Sequence, residues 1–421
     1  MKVMKTEKKI FDVAVIGGGP AGMMAAITAA EAGARVVLLE KNKELGKKLL
    51  LTGNGRCNLT NAEFNLRKLV DNYSRGGEFL FHAFSVFGPK EVISFFEKLG
   101  IKTKVEGGNR VFPLSGNAGD VREVLNKCLL KNKINVFLES PVSNVILKDK
   151  KIKNIVVGGK EVVAKKYIFC IGGNSYPTTG STGDGTKWLK NMGHGVVSPS
   201  PALVPIKVKE DWVKDLQGLS LREVGVTVAQ NNKKQLQGVG DVLFTHFGLS
   251  GPAILNVSKR VGELLKKGEV IVCIDFYPTL NAEELLKKIN EKIVQNPKIS
   301  VKNFLADLMP QKLVPIFMQV IGIGGEKPTN NIIKSERVSI AKLLKQVGVT
   351  ATELLGFDSA MVTSGGVPLK EIDGKTMKSR IIDNLYFAGE IIDIDGKTGG
   401  FNLQACWSTG YLAGKGAGGV N

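Results

Sequence analysis

The chain has 421 residues, of which 43% are hydrophobic and 23% charged, and its formal net charge is +19. Single hydrophobic cores stop growing near roughly 250–300 residues, so this length excludes one ordinary core and predicts two or more domains. The apolar content excludes a mainly disordered chain, and 50 glycines without a three-residue period exclude a collagen-like one.

The N-terminal region resembles a signal peptide only superficially. Lys2, Lys5, Lys8 and Lys9 precede an apolar run, but glycines, Pro20, Glu31 and Arg35 interrupt that run before it could span a bilayer. We therefore expect no targeting segment, no transmembrane segment and no membrane partner.

The first elements in chain order predict a βαβ unit. Residues 11–16 form a continuous run of strand-forming residues, residues 17–22 a glycine-rich turn and residues 23–32 an alanine-rich helix. Residues 36–39 then form a second buried strand that ends at Glu40. This change of period over so short a stretch predicts a Rossmann-like α/β fold at the N-terminus.

The turn inside this unit carries the pattern Gly-x-Gly-x-x-Gly. Gly17 allows a tight turn, Gly19 lets a pyrophosphate approach the backbone, and Gly22 permits close packing of helix on strand. Pro20 and Ala21 complete the turn, and the N-terminus of the following helix presents unpaired N–H groups to phosphates. The pattern predicts a dinucleotide site.

Glu40 stands about twenty residues after the turn, where an acidic side chain accepts hydrogen bonds from a ribose. An acid at this position favours a ribose without a 2′-phosphate. The fingerprint by itself does not distinguish NAD from FAD.

The remaining elements predict a second domain. Residues 89–99 and 119–130 read as amphipathic helices, and short strands follow up to residue 170. A proline cluster at residues 198–201 suggests a domain crossing. Beyond it, residues 200–278 look β-rich and residues 280–350 helical, and after residue 365 short strands and a helix at 403–413 return.

Four motifs carry a family resemblance. Residues 47–61, 245–252, 384–390 and 396–404 resemble the BaiN-type family of bacterial FAD-binding proteins, labelled NAD(P)/FAD-dependent oxidoreductases or aminoacetone-oxidase-like enzymes. The resemblance implies a discontinuous FAD-binding domain, residues 1–198 and 365–421. It also implies an insert domain, residues 199–364, with a β-barrel-like part at 199–279 and 351–364 and a helical part at 280–350.

The same resemblance implies further FAD-binding residues. Val142 would lie beside the adenine, Gly172 would give a second backbone approach, and Glu390, with Gly389, would lie near the ribityl chain. The residues assigned to FAD from the loop after the second strand are Lys41, Lys48, Thr52, Gly53, Gly55, Arg56, Cys57 and Asn58. Those assigned from the C-terminal motif are Gly400, Phe401, Asn402 and Gln404.

The C-terminal motif has a physical role of its own. If the helix that begins near Asn402 points its N-terminus at the flavin, its dipole stabilises the anionic reduced form, and Gly400 leaves room for that approach. An ordinary helix cap is the plainer alternative. For Cys57, a small packed thiol is favoured over a redox disulfide because no resolving cysteine lies nearby in the sequence.

Two residues are candidates for catalysis. Arg56 has the charge to bind an anionic group, and His246 carries an imidazole, a common proton donor in reactions that pair a proton with hydride transfer. A satisfied histidine or a turn residue explains His246 equally well. No second glycine fingerprint follows residue 22, so the electron donor is left open among NAD(P)H, another reductant and a reaction with oxygen.

These expectations combine into one main hypothesis, an FAD-dependent oxidoreductase that transfers hydride between its flavin and a small organic substrate. One rival is a nucleic-acid-interacting flavoprotein, such as a tRNA-modifying one, for which the charge of +19 would have a purpose. The even spread of lysines disfavours that rival, because nucleic-acid grooves concentrate arginine and aromatic residues. Another rival is a noncatalytic flavin-binding regulator.

Composition also bounds the environment. Five widely spaced cysteines and three histidines have neither metal-ligand spacing nor a disulfide framework. We expect no bound metal and a cytoplasmic location. The oligomeric state is left open.

Overall fold

The computed structural model describes residues 10–419, so the four N-terminal lysines of the leader-like segment lie outside the described residues. The chain divides into two units. Unit 1 combines both ends of the chain, Met1–Ala202 and Phe357–Asn421, and unit 2 is the intervening Leu203–Gly356.

The first segment of unit 1 alternates strands and helices. Its strands are β1 (Phe11–Ile16), β2 (Val36–Leu39), β3 (Thr60–Asn61), β4 (Tyr73–Arg75), β5 (Thr103–Glu106), β6 (Arg110–Pro113), β7 (Asn135–Phe137), β8 (Val142–Lys148), β9 (Lys151–Val157), β10 (Lys160–Val162), β11 (Ala164–Phe169) and β12 (Val197–Ala202). Its helices are α1 (Pro20–Glu31), α2 (Leu66–Val70), α3 (Gly77–Val86), α4 (Pro89–Lys98), α5 (Ala118–Lys131) and α6 (Gly185–Asn191).

Unit 2 and the C-terminal segment follow. The strands of unit 2 are β13 (Ile206–Val208), β14 (Ser220–Gln230), β15 (Lys233–Thr245), β16 (Gly248–Ser250), β17 (Val270–Asp275) and β18 (Val347–Leu354). Its helices are α7 (Trp212–Asp215), α8 (Pro252–Leu265), α9 (Ala282–Gln295), α10 (Val301–Ala306), α11 (Val314–Ile321) and α12 (Lys334–Lys345). The C-terminal segment adds β19 (Val362–Gly366), β20 (Leu385–Phe387), β21 (Asp395–Gly396) and α13 (Phe401–Gly418).

A parallel sheet of five strands, in the order β20-β11-β1-β2-β7, forms the centre of unit 1. β1 and β2 are almost wholly buried, as expected for apolar strands that are covered on both faces. β20 pairs with β11 in the register Tyr167↔Leu385, so the C-terminal segment completes the sheet begun by the N-terminal one. The predicted α/β Rossmann-like fold is confirmed.

Helix α13 packs closely along α1 because glycines recur every fourth residue on one face. A Cβ built on Gly410 would lie 2.5 Å from the Ala21 carbonyl oxygen, and one on Gly414 would lie 2.5 Å from that of Ala25. Only glycine lets the two backbones approach this closely. The C-terminal helix is thereby fixed against the helix that follows the fingerprint turn.

Unit 2 contains a closed barrel in the strand order β13-β16-β15-β14-β17-β18 and a helical part formed by α9 to α12. Both agree with the predicted inserted barrel and helical part. Helix α8 was not expected in the β-rich stretch, although Ile254, Val257, Val261 and Leu264 follow helical spacing and are buried. The strands that flank α8 dominated the interpretation of this stretch.

The predicted domain boundaries at residues 198 and 365 pass through a small sheet. β12 pairs antiparallel with β19, in the register Ala202↔Val362, and both strands belong to unit 1. The predicted division itself stays a prediction. Within residues 10–419, no helix is both long enough and apolar enough to cross a membrane.

Candidate cofactor-binding site

The glycines of the turn between β1 and α1 differ in the space around them. A Cβ on Gly17, which has φ +100°, would lie 2.4 Å from the Cys170 carbonyl oxygen, and one on Gly22 would lie 1.8 Å from that of Gly17. A Cβ on Gly19 would meet no atom within 4 Å. Two glycines therefore allow backbone packing, while Gly19 borders open space at the N-terminus of α1, where an anion is favoured.

Glu40 directly follows β2, and both of its carboxylate oxygens accept hydrogen bonds. Its Oε2 accepts from the Gly18 N–H at 2.7 Å, and its Oε1 accepts from the backbone N–H and the side-chain amide of Asn42, both at 2.8 Å. The residue is 8% exposed. The carboxylate is thus fixed beside the glycine turn.

One cavity of unit 1 includes the turn and Glu40. It brings together these predicted FAD-binding residues: Gly17, Gly19, Pro20, Ala21, Glu40, Lys41, Lys48, Val142, Gly172, Gly389 and Glu390. They come from both ends of the chain, because β1, β11 and β20 lie side by side and place their following loops at the same edge of the sheet.

A polar network surrounds Lys48 and Glu390, two residues that line this cavity. The Lys48 ammonium donates to Glu390 Oε2 at 2.7 Å and to Ser175 Oγ at 2.6 Å. Ser175 Oγ in turn donates to Glu390 Oε1 at 2.5 Å, and the Thr363 N–H donates to the same oxygen at 2.6 Å. Burial favours the neutral form of Glu390, but the charge of Lys48 and these hydrogen bonds outweigh it and lower the pKa of the carboxyl group.

Another wall of the cavity is the segment Thr179–Asp184. Lys41 donates to Thr182 Oγ1 at 2.6 Å and to Asp184 Oδ2 at 2.8 Å, and the Asn42 amide donates to the Thr179 carbonyl at 2.9 Å. These contacts join the loop after β2 to the loop after β11. Lys41 is therefore bound to protein partners within the cavity.

The predicted cluster at residues 52–58 does not line this cavity. Gly53 and Gly55 have φ values of +58° and +82°, and the Thr52 hydroxyl donates to the Leu49 carbonyl, so the loop turns tightly on itself. Arg56 stacks 4.1 Å above the Phe112 ring centroid and forms an ion pair with Glu106 at 3.0 Å. The structure places Arg56 in a surface cluster with protein partners.

Cys57 and Asn58 lie in the interior behind this loop. Cys57 is fully buried, and burial raises the pKa of its thiol to about 12 even though a hydrogen bond with Thr52 opposes the shift. In the amide orientation that satisfies its neighbours, Asn58 donates to the Val111 and Thr60 carbonyls and accepts from the Gly400 N–H at 3.0 Å. Asn58 thus connects this loop to the start of α13.

Residues of the C-terminal motif likewise form hydrogen bonds and close contacts with other parts of the protein. Gly400, with φ +98°, precedes α13, and a Cβ there would lie 2.3 Å from the Thr60 carbonyl oxygen. Asn402 donates to the Gly396 carbonyl at 2.9 Å. Gln404 is fully buried, donates to the Phe87 carbonyl at 3.1 Å and accepts from the Thr60 hydroxyl at 2.5 Å. These side chains hold the backbone of the motif in place.

Three further predicted residues also lie outside the residues that line the cavity. Gly22 packs against Gly17, and Phe401 is buried with its carbonyl accepting from the Tyr73 hydroxyl at 2.6 Å. His246 belongs to unit 2, in the turn between β15 and β16, where it is exposed and its ring centroid lies 4.9 Å from that of Phe247. The roles assigned to these residues stay predictions.

The sequence interpretation missed several cavity residues. Thr182, Asp184, Cys170 and Cys406 line the cavity and were not assigned to the site. Ser175 and Thr363, also unassigned, lie behind the lining and complete the network around Glu390. Position after a strand was the available indication for Ser175, which follows β11 by six residues. Cys170 and Cys406 are free thiols, as are the remaining cysteines, and burial raises the pKa of both.

A second buried polar cluster lies elsewhere in unit 1. The ring of His194, whose side chain is fully buried, contacts Glu371 through Nδ1 at 2.8 Å and Ser379 Oγ through Nε2 at 3.0 Å. Burial lowers the pKa of His194, and Glu371 opposes that shift. The sequence interpretation gave this histidine no role. In residues 10–419, no group of three or more His, Cys, Asp or Glu side chains could hold a metal ion.

Comparisons with known proteins agree with this geometry. The family described as HI0933-like protein Rossmann domain matches residues 11–416. The chain is 33% identical over 408 residues to a 3-dehydro-bile acid delta(4,6)-reductase of Clostridium scindens, covering 96% of this chain and 98% of that protein. It is 32% identical over 402 residues to a ribosomal RNA dihydrouridine synthase of Haemophilus influenzae, covering 94% and 96%.

A solved structure shows the same fold. The 3-ketosteroid-delta4-(5alpha)-dehydrogenase of Rhodococcus jostii RHA1, solved in complex with 4-androstene-3,17-dione, aligns with a TM-score of 0.54 at 16% identity. The alignment covers 98% of each chain. At this identity the likeness concerns the fold alone.

Proposed function

Because the chain belongs to the HI0933-like Rossmann family of FAD-binding oxidoreductases, we propose that it binds FAD noncovalently and transfers hydride between the flavin and an organic substrate. The cavity carries this proposal. It combines an open approach at Gly19, a fixed carboxylate at Glu40 and a polar network at Glu390, which is what a dinucleotide with a redox-active end requires.

The donor set fits FAD from one end to the other. The N-terminus of α1 at Gly19 would take the pyrophosphate, and Glu40 the adenosine ribose. Val142 would lie beside the adenine, leaving Gly389, Glu390 and Lys48 for the ribityl and isoalloxazine part. Bound FAD supplies a hydride donor and acceptor, while these residues bind and orient it.

The two relatives suggest the reaction class. Both names describe saturation of a carbon–carbon double bond, in a bile acid that carries a 3-oxo group and in the uracil ring of RNA. In each case a carbonyl conjugated with the double bond accepts electron density. Hydride would then add to the β carbon, and a proton would reach the α carbon. We therefore propose an enone-type double bond in a small molecule as the substrate.

The proton donor and the electron donor complete this proposal. His246 is exposed in a turn of unit 2 and keeps its proposed role as proton donor. NADH or NADPH is the proposed reductant of the flavin. Without a second glycine fingerprint, it would reach the flavin from the substrate side.

RNA is a second candidate substrate, and two observations favour it over other macromolecules. A relative that matches nearly the full length is named as a ribosomal RNA dihydrouridine synthase, and this chain carries a net charge of +19. Cationic surfaces contribute most of the affinity for the nucleic-acid backbone. The same reductive chemistry would then act on uridine.

An experiment in two stages tests these proposals. Anaerobic mixing of the FAD-loaded protein with NADH or NADPH should bleach the flavin absorbance. The reduced protein is then offered a 3-oxo-Δ4 steroid or an unmodified ribosomal RNA transcript, and mass spectrometry measures the gain of two hydrogens. A saturated steroid supports the small-molecule proposal, whereas dihydrouridine supports RNA. Dithionite serves as a chemical reductant if neither nicotinamide reduces the flavin. If the reduced flavin then converts neither the steroid nor the RNA, the result contradicts both proposed reactions and favours the noncatalytic regulator.

A further inference from the structure

The ion pair between Lys48 and Glu390 is an unusual feature of the cavity. The two residues are 342 positions apart in sequence, and their side chains are only 21% and 16% exposed. A buried ion pair is often no more stabilising than apolar residues of similar volume, because both charges lose their hydration. Fold stability alone therefore gives little reason for this pair.

The pair is rigid because its neighbours fix both ends. Ser175 Oγ contacts both partners, and the Thr363 N–H occupies Glu390 Oε1 at 2.6 Å. The Thr363 hydroxyl accepts from the Ser175 N–H at 3.0 Å, which orients the loop after β11. An ammonium group has three donors, and two of those of Lys48 have protein partners. Among residues 10–419 the third donor has no hydrogen-bond acceptor, so a fixed dipole with one spare donor borders the cavity.

Charge determines which part of FAD this dipole can face. The pyrophosphate is anionic and is favoured at the N-terminus of α1, next to Gly19. Glu390 would repel phosphates, so the pair suits the uncharged ribityl and isoalloxazine part. Gly389 adjoins the start of α1, since a Cβ there would lie 2.8 Å from the Ala21 Cβ. The pair therefore follows the phosphate position along the cavity.

We propose that Lys48 and Glu390 are a pair of positioning residues that set the reduction potential of the bound flavin by opposing electrostatic effects. Lys48 stabilises the negative charge that the flavin gains on reduction, and Glu390 limits this effect by neutralising part of the lysine field. The proposal rests on the FAD assignment made above and is independent of the substrate.

Opposite signs make the proposal testable. Lys48→Met removes the positive charge of the pair, so the flavin should become harder to reduce and its affinity for sulfite, which adds to the electron-poor flavin, should fall at least about tenfold. Glu390→Gln leaves an uncompensated ammonium and should raise both the potential and the sulfite affinity. The double variant K48M/E390Q should return to within about threefold of the wild-type sulfite affinity.

Lys47 provides the matched control. It borders the same cavity and carries the same charge, but it is exposed and donates to the Thr178 carbonyl at 2.7 Å. Lys47→Met should leave the sulfite affinity within twofold. If Lys48→Met fails to retain FAD, Lys48→Arg replaces it in the comparison. Because arginine keeps the positive charge, this variant should bind FAD with a near-wild-type reduction potential.

The measurements are the potential, by equilibration with a reference dye during enzymatic reduction, and the sulfite titration, both made without substrate. Shifts of Lys48→Met and Glu390→Gln in the same direction, or no shift in either while FAD stays bound, would overturn the proposal. A reductase assay that fails with every substrate leaves these measurements intact. A wild-type protein that binds no FAD overturns both proposals.

Discussion

Two groups of motif residues in unit 1 differ in what their side chains contact. The first group, Gly19, Glu40, Lys48 and Glu390, borders the cavity. The second group, at residues 52–58 and 400–404, makes its polar contacts with its own loops, with strands β3, β5 and β6, and with the end of α3. Both groups look equally polar and glycine-rich in the sequence. The structure separates side chains that face the cavity from side chains that hold its surroundings in shape.

This difference teaches that a family motif marks two kinds of constraint. A cavity residue is constrained by the ligand, so its replacement should reduce binding while the fold survives. A scaffold residue is constrained by buried hydrogen bonds, so its replacement should reduce stability first. Variants that separate these effects test whether the assignment is right.

The largest effects should come from two glycines of the same turn. Gly22→Ala forces a Cβ to within 1.8 Å of the Gly17 carbonyl oxygen and should lower the free energy of unfolding by about 3 kcal/mol. Gly19→Ala meets no protein atom within 4 Å and should fold normally, yet weaken FAD binding at least about tenfold through the pyrophosphate. Urea unfolding and titration of apoprotein with FAD measure the two effects.

Results with these two glycine variants could contradict the roles assigned to the turn. If Gly19→Ala bound FAD as tightly as the wild type, the open space beside Gly19 would not be the pyrophosphate position. A stable, FAD-binding Gly22→Ala variant would equally contradict the helix-packing role.

A smaller effect is expected at Gln404 in the second group. Gln404→Leu removes the buried acceptor of the Thr60 hydroxyl and one of the two donors to the Phe87 carbonyl, which keeps Ser408 Oγ, so the free energy of unfolding should fall by about 2 kcal/mol. FAD affinity of the folded fraction should stay the same. Fluorescence of the buried Trp407 during urea unfolding measures the loss. Gln319→Leu, at an exposed helix position, is the control and should change stability by less than about 0.5 kcal/mol.

Loss of the ion pair between Lys41 and Asp184 should change the rate of FAD dissociation more than the stability of the fold. Asp184→Asn removes the charge opposite Lys41, whose ion pair is partly exposed and contributes at most about 1 kcal/mol. FAD dissociation should become several-fold faster, as measured by mixing holoprotein with a trap for free FAD. Glu44→Gln breaks a comparable ion pair with Arg122 outside the cavity and should leave this rate unchanged. An equal acceleration in both variants would show a general loosening of the loops.

The smallest effect concerns pH and the buried cluster at His194, which lies outside the cavity lining. Burial lowers the pKa of this histidine below 6.5, so near and below pH 6.5 the unfolded state binds more protons than the folded one. Stability should therefore be complete above the unfolded pKa of about 6.5 and decline as the pH falls below it. Comparison of thermal unfolding at pH 7.5 and 5.5 measures this decline.

A variant isolates the contribution of that histidine. His194→Gln removes the titrating group and should reduce the difference in melting temperature between the two pH values, whatever its effect on overall stability. An unchanged difference would assign the acid sensitivity to other groups. FAD affinity at pH 7.5 should be unaffected, as expected for a scaffold cluster.

The local sequence determined the elements of the βαβ unit. β1 and β2 lie where runs of apolar residues predicted them. The glycine spacing predicted a tight turn, and in the structure Gly17 and Gly22 leave no room for a Cβ. These features depend on residues close together in the chain, where periodicity and glycine conformation act directly. Helix α8 is the counterexample, since neighbouring strands obscured its helical spacing.

Only the tertiary structure decided which polar residues meet. The pairing of β20 with β11 brings Glu390 to Lys48. The loop after β11 contributes Ser175 and strand β19 contributes Thr363, and local spacing could not place these residues together. Long-range packing likewise gave Gln404 and Asn58 protein partners instead of positions along the cavity. Side-chain direction depends on long-range packing, because a buried polar group must face whichever donors and acceptors the fold brings near it. The sequence thus determined the kind of site, and the fold determined its members.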